Sequence, residues 1–217
     1  MFRRNSWIFF KNHSSSKISK AVIAVMGLQI IVMGAKDALQ YENGMLNVVY
    51  LVAGTVIGEL FDIDKRLKNI ASILQEKLAK NSLGFVKGFI TATLIFCIGS
   101  MAVIGPLKIA LEGDSNIIYV KTILDGVMAM LLASTYGLGV LFSAPMVVIY
   151  QGGIFFLAEI LKTAADPYVL NQLSSIGGVL LIGLGFSLVF ERDDIKISNM
   201  LPAMFLPVIT AVIKSFL

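Results

Sequence analysis

The sequence contains one cysteine, one histidine and few charged residues, and each scarcity argues against a class of protein. With Cys97 alone, the chain forms no internal disulfide and no cysteine-based zinc or iron–sulfur site. His13 is the single histidine, which argues against a histidine metal site or a catalytic histidine. No metal and no cofactor are therefore expected.

Sequence motifs that mark common enzyme active sites are also absent. The chain contains no G-x-S-x-G, H-E-x-x-H or G-x-x-x-x-G-K-[ST] pattern. We therefore expect that the protein is not an enzyme and that no ATP hydrolysis within this chain drives its activity. Its basic residues lie in short segments between apolar runs, not along one folded face, so nucleic acid is not an expected partner.

What the sequence has in excess is apolar residues. They make up 57% of the chain and charged residues 15%, against about 45–50% and 25% in soluble domains. This composition predicts an all-α, polytopic transmembrane helix bundle, with a basic N-terminal segment (1–20) and a single integral membrane domain (21–217). About seven spans are predicted, at roughly 21–39, 45–61, 85–106, 117–135, 140–161, 174–190 and 198–216.

Residues 62–80 differ from these spans because they alternate basic and apolar positions. The apolar residues recur at the spacing of one helical face, and five Lys and Arg residues lie between them. The pattern predicts one interfacial amphipathic helix on the cytoplasmic membrane surface. A helix that binds a partner protein remains the alternative.

The candidate pathway residues are polar side chains inside or beside predicted spans. Lys121 and Asp125 are four residues apart, so they share one face of the fourth span and can form an ion pair. Charged groups at bilayer depth cost roughly 2.5–3.5 kcal/mol each on insertion scales, so such residues usually face a protein interior or a water-filled path. Tyr150 and Gln151 are expected to face the same cavity from the fifth span. The predicted solute or ion pathway also includes Asp114 and Asn199.

A second group of candidate residues marks helix packing or helix breaks. Small residues permit close helix approach, whereas glycine and proline inside a span favour a broken helix that lines a cavity. The sequence leaves both interpretations open for the candidates, which are Gly54, Gly58, Gly99, Gly105, Pro106, Pro145, Gly152 and Gly153. A further echo, between the seven-residue spacings of Gly27 and Gly34 and of Gly178 and Gly185, fits either an internal repeat or coincidence.

Charge asymmetry predicts the orientation in the membrane. Residues 1–20 and 62–84 hold most of the Lys and Arg that lie between spans. The positive-inside bias therefore places the N-terminus in the cytoplasm and, with seven spans, the C-terminus outside.

Six segments together resemble one family of membrane proteins. They are GTVIGELFDIDKRL (54–67), KGFITATLIFCIGSMAVIG (87–105), LEGDSNIIYVKTILDG (111–126), GLGVLFSAPMVVIYQGG (137–153), GGVLLIGLG (177–185) and NMLPA (199–203). The chain resembles the YqgA/YdfK-like family of uncharacterised prokaryotic proteins, also called domain of unknown function 554. The resemblance implies a multi-pass protein of the bacterial cell membrane, usually regarded as a transporter, with no settled substrate.

The chain departs from the family pattern in two places. Residues 1–17 are basic and serine-rich where the family has an apolar, glycine-rich helix, so this segment is either a divergent start or a start that replaces a family helix. Near Ser187 the family tends to place an asparagine, which the present chain lacks.

These observations favour a secondary transporter or permease for a small polar or charged solute. The alternative is an accessory or scaffolding membrane protein that binds other membrane or cytoplasmic partners. The expected partners are the lipid bilayer, an unknown small solute and a second copy of the chain.

Overall fold

The computed structural model describes residues 6–80, 82, 84–159, 161–162, 166–192 and 194–216, and side chains from 17 to 214. Within these residues the chain is helical and contains no β-strand. The α-helices are α1 (Ser6–Ala38), α2 (Gly44–Phe61), α3 (Ile63–Leu78), α4 (Phe85–Ile98), α5 (Met101–Glu112), α6 (Asn116–Tyr136), α7 (Ser143–Phe156), α8 (Pro167–Val189), α9 (Ile197–Met200) and α10 (Pro202–Phe216). The predicted all-α bundle is confirmed.

Five of the described helical segments are long and apolar enough to cross a membrane, and a bent pair, α4 with α5, gives up to six. Seven apolar segments are present in the predicted order, but the predicted fifth span, 140–161, is longer than the helix that the structure forms there. A short 3₁₀ helix, Gly137–Val140, precedes α7, which has only 14 residues. At 1.5 Å per residue α7 is roughly 21 Å long, whereas the hydrocarbon core is about 30 Å thick.

Local sequence signals explain where several helices begin and end. Asn43 precedes α2, and its side-chain oxygen accepts hydrogen bonds from the amides of Met45 and Leu46, both at 3.1 Å. Asp166 caps α8 in the same way, with Pro167 in the first turn. The helix therefore begins at Pro167, earlier than the predicted start near residue 174. Residues 6–20 belong to α1, so the helix that contains the first span begins before residue 21.

The predicted break in the third span lies at Gly99 and Ser100, where α4 and α5 meet at 53°. A Gly-Ser pair is a common cause of sharp helix bends, and Gly99 here is extended, with ψ of 146°. Pro106 lies inside α5 without ending it. Of the two interpretations left open for Gly152 and Gly153, a helix break does not occur, since α7 runs unbroken from Ser143 to Phe156. Pro145 lies in the first turn of α7, where its missing N–H needs no partner.

Close contacts between backbones join the helices at the centre of the bundle. Gly54 and Gly58 of α2 lie against the backbones of Ala203 and Asn199, so a side chain at either position would displace α9 or α10. Gly105 is packed against Ile118 of α6, whereas open space faces Gly99, Gly152 and Gly153. The most buried span is α8, which packs along α1 and contacts α2, α4 and α10.

Ion pairs define one end of this bundle, which we call the basic end. Lys20 of α1 lies 3.1 Å from Glu191 after α8, and Lys196 lies 3.8 Å from Glu59 of α2. The predicted amphipathic helix is confirmed as α3, which packs on α4 and α9 at this end. The described basic residues at this end include Lys65, Arg66, Lys68, Lys77, Lys87 and Arg192.

Candidate functional site

An ion pair lies in the middle of α6. Lys121 is 5% exposed, and its ammonium group donates a hydrogen bond to the Asp125 carboxylate. About 30% of the Asp125 side chain is exposed. Asp125 follows the start of α6 by nine residues, roughly 14 Å of helix, which places the pair near the centre of the span. The exposed carboxylate edge makes Asp125 the accessible member of the pair.

The pair lies beside the broken span. Cys97, two residues before Gly99, is close enough to interact electrostatically with both Lys121 and Asp125. Helix α6 also contacts α4, α5 and α1. A charged pair and a bent helix therefore occupy the same region of the bundle.

The structure does not bring Tyr150 into a cavity with this pair. Tyr150 instead lines an apolar cavity of about 40 Å³ with residues such as Leu107, Leu173 and Met204, and its ring packs edge-on against Phe205. Neither Lys121 nor Asp125 lines this cavity, so a cavity shared by Tyr150, Lys121 and Asp125 stays a prediction. Gln151 carries a buried side-chain nitrogen without a hydrogen-bond partner among the described residues.

Asp114 and Asn199 lie at the ends of helices. Asp114 accepts a hydrogen bond from the Asn116 amide at 3.0 Å, so it terminates the loop before α6. Asn199 is fully buried, and its side-chain oxygen accepts a hydrogen bond from the Asp64 amide at 2.7 Å. Asn199 therefore links α9 to α3 at the basic end, apart from the middle of α6.

Asp64 lines a polar pocket at the basic end that sequence reasoning missed. The pocket has a volume of about 270 Å³. The Asp64 carboxylate is nearly buried and lies 2.6 Å from the ammonium of Lys68. The other polar residues that line the pocket are Lys87, Thr91, Ser187, Arg192 and Ser198. Four separate segments of the chain supply these side chains, so no local motif marks the pocket.

In the described part of the chain, one polar group of this pocket is unpartnered, and another is held in an ion pair. The Ser187 hydroxyl, which lies near the predicted departure from the family pattern, has no hydrogen-bond partner among the described residues. Outside the membrane spans, Arg192 donates hydrogen bonds to both oxygens of Asp194, and this pairing lowers the pKa of the Asp194 carboxyl. The Arg192–Asp194 pair is therefore charged at neutral pH.

The described residues hold no group of three or more His, Cys, Asp and Glu side chains that is suited to a metal ion. In the Lys121–Asp125 pair, the charge of the carboxylate is balanced by one neighbouring ammonium.

Comparison with known proteins gives a family and two relatives. The profile of the family described as protein of unknown function (DUF554) matches residues 7–212. The chain is 28% identical to the uncharacterized membrane protein YdfK of Bacillus subtilis over 95% of this chain and 90% of that protein. It is 24% identical to the uncharacterized protein YqgA of Escherichia coli over 88% of this chain and 83% of that protein. No solved structure matches the chain.

Proposed function

The chain belongs to the DUF554 family of proteins of unknown function, and we propose that this member is a secondary transporter or permease for a small polar or charged solute. The observation that carries the proposal is the Lys121–Asp125 pair in the middle of a membrane span. Ionisable residues at this depth commonly mark solute or ion pathways, because their insertion costs free energy that needs a compensating role.

The geometry supports an exchange role for Asp125. Lys121 is enclosed by protein, whereas part of the Asp125 carboxylate is exposed. A proton or cation that reaches Asp125 weakens its attraction to Lys121, and departure of that ion restores the pair. The carboxylate can therefore couple ion binding to a change in the packing of α6.

The bend between α4 and α5 supports a pathway beside this pair. Helix breaks at membrane depth leave backbone polar groups that protein or a cavity must satisfy, and transporters use such breaks in their binding sites. The break at Gly99 lies two residues from Cys97, which is near both members of the pair. In this proposal α6 and the α4–α5 bend line the route of the solute.

The experiment that tests this role compares the wild type with Asp125→Asn. The thermal stability of detergent-purified protein is measured against amino acids, organic acids, sugars and inorganic ions. A ligand at about 100 times its Kd adds roughly 2.7 kcal/mol to the free energy of unfolding, provided it binds only the folded state. We expect a solute-specific shift in the wild type that is lost in Asp125→Asn.

Asp62→Asn provides the matched control, because Asp62 lies between α2 and α3, outside the predicted pathway, and asparagine also tolerates its left-handed backbone conformation, with φ of 45°. We expect this control to keep the wild-type response. An equal shift in Asp125→Asn would indicate that the Lys121–Asp125 pair has a structural role only, that of fixing how α6 packs.

An accessory role is the second candidate, and the outer surface of α3 favours it. Ile73 and Leu78 are more than half exposed on a helix whose lysine and arginine residues are also exposed. Such a surface fits either a lipid interface or a partner helix. Stable co-purification of one soluble protein, with no solute-dependent stabilisation, would favour the accessory role over transport.

A further inference from the structure

A second cleft lies at the end of the bundle opposite the basic end, between α2, α8 and α10. Its volume is about 750 Å³. Its polar lining includes Tyr50, Lys162, Asp166, Gln172, Thr210 and Lys214. Neither Lys121 nor Asp125 lines this cleft, so any ligand bound here would be distinct from the ion exchange proposed at α6.

Gln172 places an unpartnered acceptor at this cleft. The residue is 0% exposed, and its side-chain nitrogen donates a hydrogen bond to the backbone oxygen of Asn43 at 3.2 Å. A backbone carbonyl only accepts hydrogen bonds, so the nitrogen and not the oxygen must face Asn43. The remaining Oε1 atom has no hydrogen-bond partner among the described residues. A buried amide oxygen without a donor is a group that a bound molecule or an ordered water can satisfy.

Tyr50 provides a second acceptor in the same cleft. The Thr210 hydroxyl donates its single hydrogen to the Pro207 backbone oxygen at 2.9 Å. The Tyr50 hydroxyl lies 2.9 Å from the same Thr210 oxygen, so Tyr50 must be the donor in that contact. The Tyr50 oxygen has therefore used its hydrogen and offers only lone pairs to a ligand.

Asn47 lies one turn from Tyr50, and its side chain likewise uses its donor and leaves its acceptor free. Ser175 donates to the Ala38 backbone oxygen at 2.9 Å, and Asn47 donates its side-chain nitrogen to Ser175 at 2.8 Å. The Asn47 oxygen is again without a partner among the described residues. The polar atoms that remain without partners along this α2–α8 contact are therefore hydrogen-bond acceptors.

The cleft is also lined by charged residues, two basic and one acidic. Lys162 and Lys214 are exposed cations, and Lys162 approaches Glu159 only to 3.9 Å. Asp166 is the acidic residue of the lining, and one of its oxygens accepts the Tyr168 amide at 2.8 Å. A ligand therefore meets neutral acceptors in the interior, and one carboxylate and two ammonium groups among the exposed residues.

We propose that this cleft binds a small zwitterion that carries an ammonium group and a carboxylate. The ammonium end donates hydrogen bonds to Gln172 Oε1 and the Tyr50 oxygen, and the carboxylate end lies by Lys162 and Lys214. This assignment concerns binding and does not depend on transport or on Asp125.

The test measures binding to the detergent-purified full chain. The probes are glycine, L-alanine and β-alanine, with acetate and methylammonium as half-ligands, and binding is followed by thermal stability and by equilibrium dialysis of labelled probe. We expect at least one zwitterion to stabilise the wild type more than either half-ligand does. Gln172→Met and Tyr50→Phe each remove an acceptor and should weaken its binding about tenfold or more, the effect of losing a hydrogen bond to a charged group.

Ser174→Ala is the matched control, because Ser174 is also buried on α8 but donates to the Leu170 backbone oxygen outside the cleft lining. It should bind as the wild type does. If Gln172→Met does not fold, Tyr50→Phe decides. The proposal is overturned if none of the three zwitterions binds, if affinity is unchanged in the folded acceptor variants, or if acetate alone binds as tightly.

Discussion

At the scale of single residues, buried amides hold this protein together across helices that are distant in sequence. The Asn199 oxygen accepts a hydrogen bond from the backbone amide of Asp64, the second residue of α3, where helical amides lack partners within their own helix. Asp64 in turn holds Lys68 at the basic-end pocket. Asn199 therefore positions a pocket residue without lining the pocket itself.

Asn199→Ala should lower the free energy of unfolding by about 1–3 kcal/mol, because it leaves the buried Asp64 amide without an acceptor. Asn116→Ala is the control, since Asn116 is exposed and should change stability little. Thermal unfolding can be followed with a thiol-reactive dye that reports exposure of Cys97, the single cysteine. Equal stability of the two variants would show that the Asn199 contact is dispensable.

The sequence predicted the pair of Lys121 and Asp125 because helical spacing alone brings such residues together. It could not predict that Asn199 contacts Asp64, because 135 positions separate them and only the packing of α9 on α3 joins them. For the same reason it could not predict that Tyr150 lines an apolar cavity with Leu107 and Met204, because which neighbour its side chain meets depends on how α7 is rotated.

At the scale of helices, the equal spacing of two glycine pairs in the sequence corresponds to one helix–helix contact. Helices α1 and α8 run antiparallel, so Gly27 meets Gly185 and Gly34 meets Gly178. A Cβ atom added at Gly34 would lie 2.6 Å from the Gly178 oxygen, and one at Gly185 would lie 2.6 Å from the Gly27 oxygen. Equal spacing on both helices is what such a seam requires. The sequence showed the spacing but not that the two pairs contact each other; an internal repeat stays a prediction.

Gly34→Ala should destabilise the protein by about 1–3 kcal/mol, because its methyl group forces two backbones apart. Gly126→Ala is a matched control in α6, where a Cβ atom meets nothing within 4 Å. We expect Gly126→Ala to be at least as stable as the wild type, since alanine favours helix more than glycine does. Comparable losses of stability in both variants would contradict the close contact between α1 and α8.

At the scale of the whole molecule, polar features are distributed between two ends and a centre. The basic end carries α3 and the pocket at Asp64, the opposite end carries the cleft at Gln172, and the Lys121–Asp125 pair lies between. The family profile spans residues 7–212, which includes all three features except Lys214 of the cleft. This distribution fits a protein that handles solute from both sides of a membrane.

The positive-inside bias predicts that the basic end faces the cytoplasm. In a Cys97→Ala background, a cysteine at Arg66 should resist a membrane-impermeant maleimide added to intact cells, whereas one at Asp114 should react. Both positions lie outside the spans, and permeabilised cells show whether each thiol is reactive at all. Labelling of Arg66→Cys without labelling of Asp114→Cys in intact cells would reverse the proposed orientation.

The central claim is that Asp125 takes part in moving a solute across the membrane. The most direct measurement is uptake of radiolabelled solutes into proteoliposomes that contain the wild type, Asp125→Asn or Asp62→Asn at equal protein density. The solutes are those that stabilise the wild type in detergent. We predict uptake by the wild type and by Asp62→Asn, and none above protein-free liposomes by folded Asp125→Asn. Uptake by Asp125→Asn at the wild-type rate would contradict the claim.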